Sequence, residues 1–565
     1  MDLHDMARAW LDQDPDPATR SELQRLIETN DAELADCFAG RLHFGTAGLR
    51  GPLGPGPNRM NRVVVLQSAA GLARYLTEHF GPECSVVIGY DARHNSDVFA
   101  HDTASIMQGA GVRAFVLPRP LPTPVLAFAI RHLGASAGVM VTASHNPPQD
   151  NGYKVYDANA AQIVPPVDSH IADAIDRVGA ANEVPRSEVD LADPPGGAIA
   201  IGPDLFEAYW TDVVAERPVA ECASIRIVTT PLHGVGGAPV VEVLGRGGYT
   251  DVHPVPEQFA PDGHFPTVSF PNPEEPGALD LATALASEVG ADIVLANDPD
   301  VDRLAVALPT PSGWRNLTGN QIGVLLADYV LTHWNRPERP MVANSIVSSP
   351  MLFDVAEVHG ARCEQTLTGF KWICNAALDL ERDEGVRFAM GFEEAIGYSI
   401  GPIVRDKDGI SAALVFADMV GAAKAEGRTV WDLLAALAER HGLWVSAQHS
   451  VVRPGTEGAA EIAAAMARLA AEQPSAIAGK AVEAVVDYRE GADSRPRWLT
   501  TTPLVALSID GGRILVRPTG TEPKLKIYVD LRAPFNPSDD FLAQEAARSE
   551  EAADIAAAMG SWLGF

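Results

Sequence analysis

The sequence predicts an α/β protein of several domains, built on mostly parallel sheets and ending in an α+β domain. Three observations predict it. Short apolar runs rich in Val and Ile (Val86–Ile88, Val139–Val141, Ile225–Val228, Ile293–Leu295) each end in a loop of Gly, Asp, Ser, Asn or Pro. Repeated as strand, loop and helix, this is the rhythm of βαβ units, whose strands are buried on both faces. The length, 565 residues, suits about four domains at ~150 residues each. After about residue 445 the rhythm gives way to strands clustered around one alanine-rich helix, Glu457–Gln473.

In chain order, residues 1–43 carry helical spacing through Leu11, Leu23, Leu26 and Ile27, interrupted by Asp-Pro pairs near residue 15. The βαβ rhythm follows. The Pro/Gly/Asp stretch 190–204 and the Gly/Pro-rich segment 309–316 read as linkers. The expected domains are therefore 1–200, 201–315, 316–445 and 446–565, the first three α/β and the last α+β. In parallel sheets ligands collect at the carboxyl ends of strands, so the loops there are the candidate site.

Hydrophobic residues make up 46% and charged residues 21%, the balance of a globular chain with large cores. The net charge of −31 excludes duplex nucleic acid and anionic membrane surfaces as expected partners. An anionic substrate then needs locally gathered cations, which makes a basic residue inside a motif informative. Five cysteines without a C-x-x-C pair suggest neither a disulfide framework nor a zinc site. The start, MDLHDMARAW, lacks the apolar core of a signal peptide, and no run approaches ~18 apolar residues. A cytoplasmic location is expected.

Four loops carry the chemistry. In GVMVTASHNPPQDNGYKVY (138–156), a buried strand delivers Thr142, Ala143 and Ser144 onto a loop stiffened by Pro147 and Pro148. A serine at a strand's carboxyl end is placed like a nucleophile, without the G-x-S-x-G elbow of hydrolases. His145, adjacent in sequence, is expected to turn its ring away from the Ser144 hydroxyl, and Lys154 is the better-placed cation for a phosphate. In ADIVLANDPDVDRLAVAL (291–308), Asp298, Asp300 and Asp302 alternate and can converge on one hard cation. Three carboxylates with a phosphoryl oxygen suit Mg²⁺. An EF-hand fails, because Arg303 stands where its glycine belongs and Pro309 where its glutamate belongs. In GFEEAIGY (391–398), Glu393 and Glu394 lie between glycines and can accept hydrogen bonds from sugar hydroxyls. In RILVRPTGTEPKLKIY (513–528), Arg517 can fork onto a phosphate, Thr519, Gly520 and Thr521 offer hydroxyls and amides, and Lys524 adds charge. GVGG (234–237) is no dinucleotide fingerprint, since Pro239 replaces its last small residue, and it reads as the start of a helix.

TASHNPP followed by NGYK resembles the phosphoserine loop of the α-D-phosphohexomutase family, the phosphoglucomutases and phosphomannomutases, and the other three loops resemble its metal, sugar and phosphate loops in the same order. The resemblance implies three similar α/β domains and a smaller fourth around a central cleft. It implies that Ser144 carries a phosphoryl group and contributes to the metal site with Asp298, Asp300 and Asp302. Arg303 becomes an active-site cation, and FGTAGLRG (44–51) donates Arg50. TGFK (368–371) adds Lys371, and VRDKDG (404–409) adds Lys407, to the substrate-binding set of Glu393, Glu394, Arg517, Thr519, Gly520, Thr521 and Lys524. Arg93, in GYDARHNS (89–96), is expected to be structural. For the general base, Arg50 and Lys154 are both candidates, with His145 positional. The implied cofactor is Mg²⁺, the implied activator and intermediate a sugar bisphosphate, and the implied partner a phosphorylated monosaccharide bound by a monomer or homodimer. The expected reaction interconverts sugar 1-phosphate and 6-phosphate, glucose or mannose, through phosphoserine. Ala395 and Phe370 stand where many hexomutases have Ser and His. These variants resemble the branch of phosphopentomutases and glucose-bisphosphate synthases, so a pentose mutase or a bisphosphate synthase is the alternative. A non-catalytic sugar-phosphate binder is opposed by the intact Ser144 and the three aspartates.

Overall fold

In the computed structural model, residues 2–29, 31–45, 48–189, 198–219, 223–519 and 523–565 are described. Amphipathic helices Leu3–Leu11 and Pro17–Thr29 open the chain. Their apolar stripe (Ala7, Trp10, Leu23, Leu26) joins a core with Leu72, Val86, Phe99 and Val139, all buried. At roughly 1.5–3 kcal/mol per buried large aliphatic side chain, this contact fastens the N-terminal helices to the first sheet.

That sheet uses β1 (Leu49–Pro52), β2 (Ser85–Tyr90), β3 (Arg113–Val116), β4 (Ala137–Val141), β5 (Asp150–Asp157) and β6 (Ala198–Ala200), in the order β1-β5-β4-β2-β3-β6. The β4-β2-β3-β6 core is parallel, and β5 and β1 add antiparallel strands at one edge. Because β5 returns beside β4, Met140 stands opposite Lys154, which carries the lysine back toward the serine loop. Gly48 has φ +73°, and a Cβ there would fall 1.9 Å from the Tyr153 carbonyl oxygen, so only glycine lets the chain cross β5.

The second sheet uses β7 (Ile227–Thr230), β8 (Val252–Pro254), β9 (Ile293–Ala296), β10 (Ala305–Thr310) and β11 (Gly313–Asn316), in the order β11-β10-β9-β7-β8. Strands β8-β7-β9 run parallel and β10 returns antiparallel, so the acidic loop is the tight connection between β9 and β10. The GVGG segment does precede a helix, Gly237–Arg246. A Cβ on Gly234 would lie 2.3 Å from Pro299 Cα, so this glycine admits the acidic loop.

In the third region β12 (Pro340–Ser345) pairs in parallel with β13 (Arg362–Thr366) and β14 (Arg387–Glu393). The helix Gly319–Thr332 begins in a capping box, Thr318 with Gln321, which satisfies backbone donors at its first turn. Strand β15 (Gly397–Ile400) follows. The C-terminal sheet, β16 (Leu443–Val452), β17 (Ala476–Ile477), β18 (Lys480–Asp487), β19 (Val505–Ile509), β20 (Gly512–Pro518) and β21 (Lys524–Ala533), is antiparallel in the order β16-β21-β20-β19-β18-β17. Helices Gly455–Glu472 and Phe541–Trp562 complete this α+β domain.

Contacts divide the chain into two compact units, Met1–Leu317 with Gly397–Asp418, and Thr318–Ile396 with Met419–Phe565. The segment Gly397–Asp418 thus groups with the first two sheets. Among the described residues Cys37, Cys84, Cys363 and Cys374 are free, and no helix is long and apolar enough to cross a membrane.

Candidate active site

In the first unit, Ser144 follows β4 with φ +52°, a left-handed conformation that costs a non-glycine residue about 1–3 kcal/mol. The surroundings hold it there. Its amide donates to Thr142 Oγ1 at 2.8 Å, and Thr142 Oγ1 donates to buried Asp91 at 2.6 Å. Arg93 donates to the carbonyls of Ser144 (2.6 Å), Asn146 (2.5 Å), Pro147 (2.8 Å) and Asp150 (3.1 Å). Arg93 is structural, as expected, and what it structures is the serine loop.

The Ser144 hydroxyl donates to Asp298 Oδ2 at 2.6 Å, joining the serine loop to the acidic loop. His145 departs from expectation. Its Nδ1 lies 3.2 Å from Ser144 Oγ, because the left-handed kink at Ser144 swings the next side chain back over the hydroxyl. Burial first, then the charges of Arg303 and Arg50, hold the imidazole well below its ordinary pKa.

Asp298, Asp300 and Asp302 present carboxylate oxygens within 4.8 Å of one another, all buried. Val301, between them, also has a left-handed φ of +63°, an outlier for a β-branched residue. Lys154 Nζ lies 2.6 Å from Asp300 and 3.0 Å from Asp302, and Lys407 Nζ lies 3.0 Å from Asp302. The Arg303 amide donates to Asp298 at 3.1 Å, and its Nε lies 3.7 Å from Asp302. Burial, then the neighbouring charges of Asp300 and Asp302, push the Asp298 carboxyl well above the usual range. Burial works the same way on Asp300 and Asp302, but Lys154, joined at Asp302 by Lys407 and Arg303, holds both below it. Burial alone would lower Lys154, and the same two aspartates carry it above its ordinary value as a cation.

Two oxygens of this cluster, Asp300 Oδ1 and Asp302 Oδ1, are buried and accept no hydrogen bond. Buried carboxylate oxygens without donors are costly unless something coordinates them, and three such groups around one point fit a hard divalent cation. The Arg50 Nε is likewise buried without an acceptor, an orphan donor beside the cations that surround Ser144. Arg50 sits opposite Gly152 on β1 and β5, close enough that a Cβ there would meet its stem at 3.0 Å.

Lys407 reaches the acidic loop because the Gly397–Asp418 segment is pinned. The Tyr156 hydroxyl and Gln162 amide donate to Asp406 at 2.7 and 2.8 Å, Tyr209 donates to Asp408 at 3.0 Å, and the Gly409 amide donates to the Val301 carbonyl. The structure therefore groups Ser144, Arg50, Lys154, Asp298, Asp300, Asp302, Arg303 and Lys407.

The second unit carries the remaining candidates. Glu393 Oε1 accepts from the Gly369 amide at 2.7 Å, at the start of the helix that bears the buried Lys371. Glu394 Oε2 accepts from Ser345 at 3.2 Å and Ser348 at 3.1 Å. Arg517 lies on β20 opposite Lys526, and the Thr519 amide donates to the Lys524 carbonyl at 2.8 Å. Tyr528 links the sugar and phosphate loops. Its hydroxyl hydrogen-bonds Arg517, and burial together with the charges of Glu394 and Glu393 raises its pKa. Gly520 and Thr521 lie outside the described residues.

Sequence reasoning missed Thr123, which donates to Asp300 at 2.8 Å, and also Asp406, Ser345, Ser348 and Tyr528. The strand-end rule that located Ser144 would have found Ser345 and Ser348, in ANSIVSSP at the end of β12. Nothing local marks the others.

The chain is similar to known proteins. Residues 41–182, 207–312 and 318–441 match the phosphoglucomutase/phosphomannomutase α/β/α domains I, II and III. A Haemophilus influenzae protein named "Probable phosphomannomutase" is 45% identical over 84% of this chain and 93% of its own length. The human phosphopentomutase is 36% identical over 94% of this chain and 91% of its own. The open form of parafusin, a Paramecium phosphoglucomutase, matches the fold at a TM-score of 0.67 and 17% identity, over 94% of this chain and 96% of its own.

Proposed function

This chain belongs to the phosphoglucomutase/phosphomannomutase family of phosphomutases, which are isomerases, and from that premise we propose that it interconverts the 1- and 6-phosphates of glucose or mannose through phosphorylated Ser144. The observation that carries the reading is the 2.6 Å contact from Ser144 Oγ to Asp298, in a loop strained and held by Arg93. It places a hydroxyl at the carboxylate cluster while cations crowd around both. In the first transfer the bond between phosphorus and Ser144 Oγ breaks as a bond to the free sugar hydroxyl forms, and the hydroxyl proton passes by way of a general base to Ser144 Oγ; the second transfer reverses this. The resulting sugar bisphosphate returns its other phosphoryl group to Ser144 Oγ. Lys154, Arg303, Lys407 and Arg50 stabilise charge on the phosphoryl oxygens, as phosphoryl transfer requires. Asp298, Asp300 and Asp302, with the oxygen on Ser144, would hold Mg²⁺, which would supply Lewis-acid charge stabilisation there. Glu393, Glu394 and Lys371 bind the sugar, and Arg517, Thr519, Gly520, Thr521 and Lys524 bind the phosphate that is not reacting.

The extent of the human phosphopentomutase match, with Ala395 and Phe370 as apolar residues at the sugar loop, favours ribose and deoxyribose phosphates as the second reading. A coupled assay on glucose, mannose, ribose and deoxyribose 1-phosphates, with glucose 1,6-bisphosphate as activator, separates the two. Turnover confined to pentoses would reject the hexose reading, and net release of bisphosphate would make the enzyme a bisphosphate synthase instead.

A further inference from the structure

Two buried hydroxyls meet one oxygen of the Glu394 carboxylate. Both of its bonds from Ser345 and Ser348 fall on Oε2, at 3.2 and 3.1 Å, and the two serine hydroxyls lie 2.8 Å from each other. The Glu394 amide donates in turn to Ser348 Oγ at 2.9 Å, so backbone and carboxylate of one residue close on one hydroxyl. Both serines are fully buried. The terminal torsion of a glutamate is otherwise broad, so two donors on one oxygen, beside the bond from its own amide, restrict the plane of the group.

The turn that bears the serines is itself anchored. Arg513 Nη2 donates to the Ser348 carbonyl at 2.6 Å while its Nε donates to buried Asp530 at 2.8 Å. Asp530 accepts from Ser446 at 2.6 Å, Ser446 accepts from Asn320 at 2.8 Å, and Asn320 accepts from the Ser349 amide at 2.8 Å. This closes a ring of polar contacts between the serine turn and the C-terminal sheet. Ile346 and Val347, inside the turn, pack with Leu515 and Tyr528 of β20 and β21.

We infer that Ser345 and Ser348 are the positioning residues that set sugar specificity: they occupy one oxygen of Glu394 and orient the other to read a single sugar hydroxyl, with Arg513 and Asp530 anchoring them. This rests on the proposed role of Glu394 as a sugar ligand. Burial raises the Glu394 pKa above its ordinary value; its own backbone amide, then Lys526 and the two serines, limit that rise by stabilising the ionised, acceptor-only form that a sugar O–H needs.

The test deletes the hydroxyl on either side of the contact. kcat/KM is measured for glucose 1-phosphate and its 2-, 3- and 4-deoxy analogues, and for ribose and 2-deoxyribose 1-phosphates. The proteins are wild type, Ser345→Ala, the Ser345→Ala/Ser348→Ala double variant and Glu394→Gln, each checked by thermal unfolding. Wild type should lose roughly ten- to hundredfold on one deoxy analogue, the cost of leaving a buried acceptor unpaired. In the double variant that penalty should shrink to about threefold or less, with Ser345→Ala intermediate, because a free carboxylate no longer distinguishes that hydroxyl. General damage to the fold would instead lower all substrates together and leave the ratio intact. If Glu394→Gln removes the penalty and both serine variants retain it, the inference is overturned while Glu394 remains a sugar ligand. A Glu394→Gln variant with every ratio unchanged would overturn both.

Discussion

Replacing Arg93 by Met tests whether the serine loop is held from behind. The side chain is 1% exposed, and its guanidinium serves four carbonyls, those of Ser144, Asn146, Pro147 and Asp150. It also lies 3.4 Å from Asp91 and stacks 5.1 Å from the Phe265 ring. Methionine fills much of the stem volume but leaves these acceptors without a donor and Asp91 without its cation. Breaking a buried charged pair by removing one partner costs about 3–5 kcal/mol. Asp91 keeps its bonds from Thr142 and Ser96, and the outer carbonyls can reach water, so the whole loss should stay within that range. At about 1.4 °C per kcal/mol for a unit of this size, the transition that unfolds the first unit should fall by roughly 4–7 °C. Released from its left-handed geometry, Ser144 needs to move only ~1 Å for transfer to slow by about a hundredfold. KM for the sugar phosphate should change little, since Arg93 touches none of Glu393, Glu394 or Arg517, and Arg93→Lys should recover part of both losses. Scanning calorimetry and steady-state kinetics on the three proteins decide the matter. An Arg93→Met enzyme with wild-type kcat, or one that loses KM rather than kcat, would refute the account.

Three further outcomes are expected. Ser144→Ala should abolish multiple turnover without lowering the unfolding temperature by more than a few degrees, and mass spectrometry of active enzyme should find phosphate on Ser144; an active alanine variant ends the phosphoserine mechanism. Removing divalent metal should stop turnover reversibly, and Asp300→Asn should weaken Mg²⁺ binding measured by calorimetry at least tenfold; a metal-free enzyme running at the normal rate rejects the carboxylate site. Asp418, buried beside Arg217 and the Tyr249 hydroxyl, has its pKa pushed by burial from 3.8 up to about 7, against the pull of both neighbours. The folded pKa lies above the unfolded one, so its contribution is complete below about pH 4 and is lost as pH rises toward 7, by at most about 4 kcal/mol. The stability difference between wild type and Asp418→Asn should therefore shift against wild type across that window; parallel curves from pH 4 to 8 would sink the assignment.

Much of the first unit's site was legible because its chemistry is local. Ser144, Asp298, Asp300 and Asp302 each sit where a buried Val- and Ile-rich strand ends in small polar residues, a pattern contained in one short segment. The strands themselves stood out for the same reason. What the sequence hid was every contact between distant segments. Thr123 meets Asp300, and Tyr156 meets Asp406, across separations no periodicity records. His145 was misjudged because its orientation depends on the sign of φ at Ser144, and a serine there does not announce a left-handed backbone the way a glycine would.

The placement of Lys407 carries the same lesson into function. Its motif, VRDKDG, reads as part of the third domain, yet Gly397–Asp418 groups with the first two sheets. Asp406 and Asp408, on either side of the lysine, are taken by Tyr156 and Gln162 of the first domain and Tyr209 near the start of the second. The alternating acids therefore act as anchors, and the lysine between them is delivered to Asp302. Three cations reach the acidic loop by three routes: Lys154 from the first sheet, Arg303 from the loop itself and Lys407 from this inserted segment. None of the three regions alone holds the charges that keep Asp302 ionised. In a chain of net charge −31, assembling them this way concentrates positive charge at the acidic loop beside Ser144.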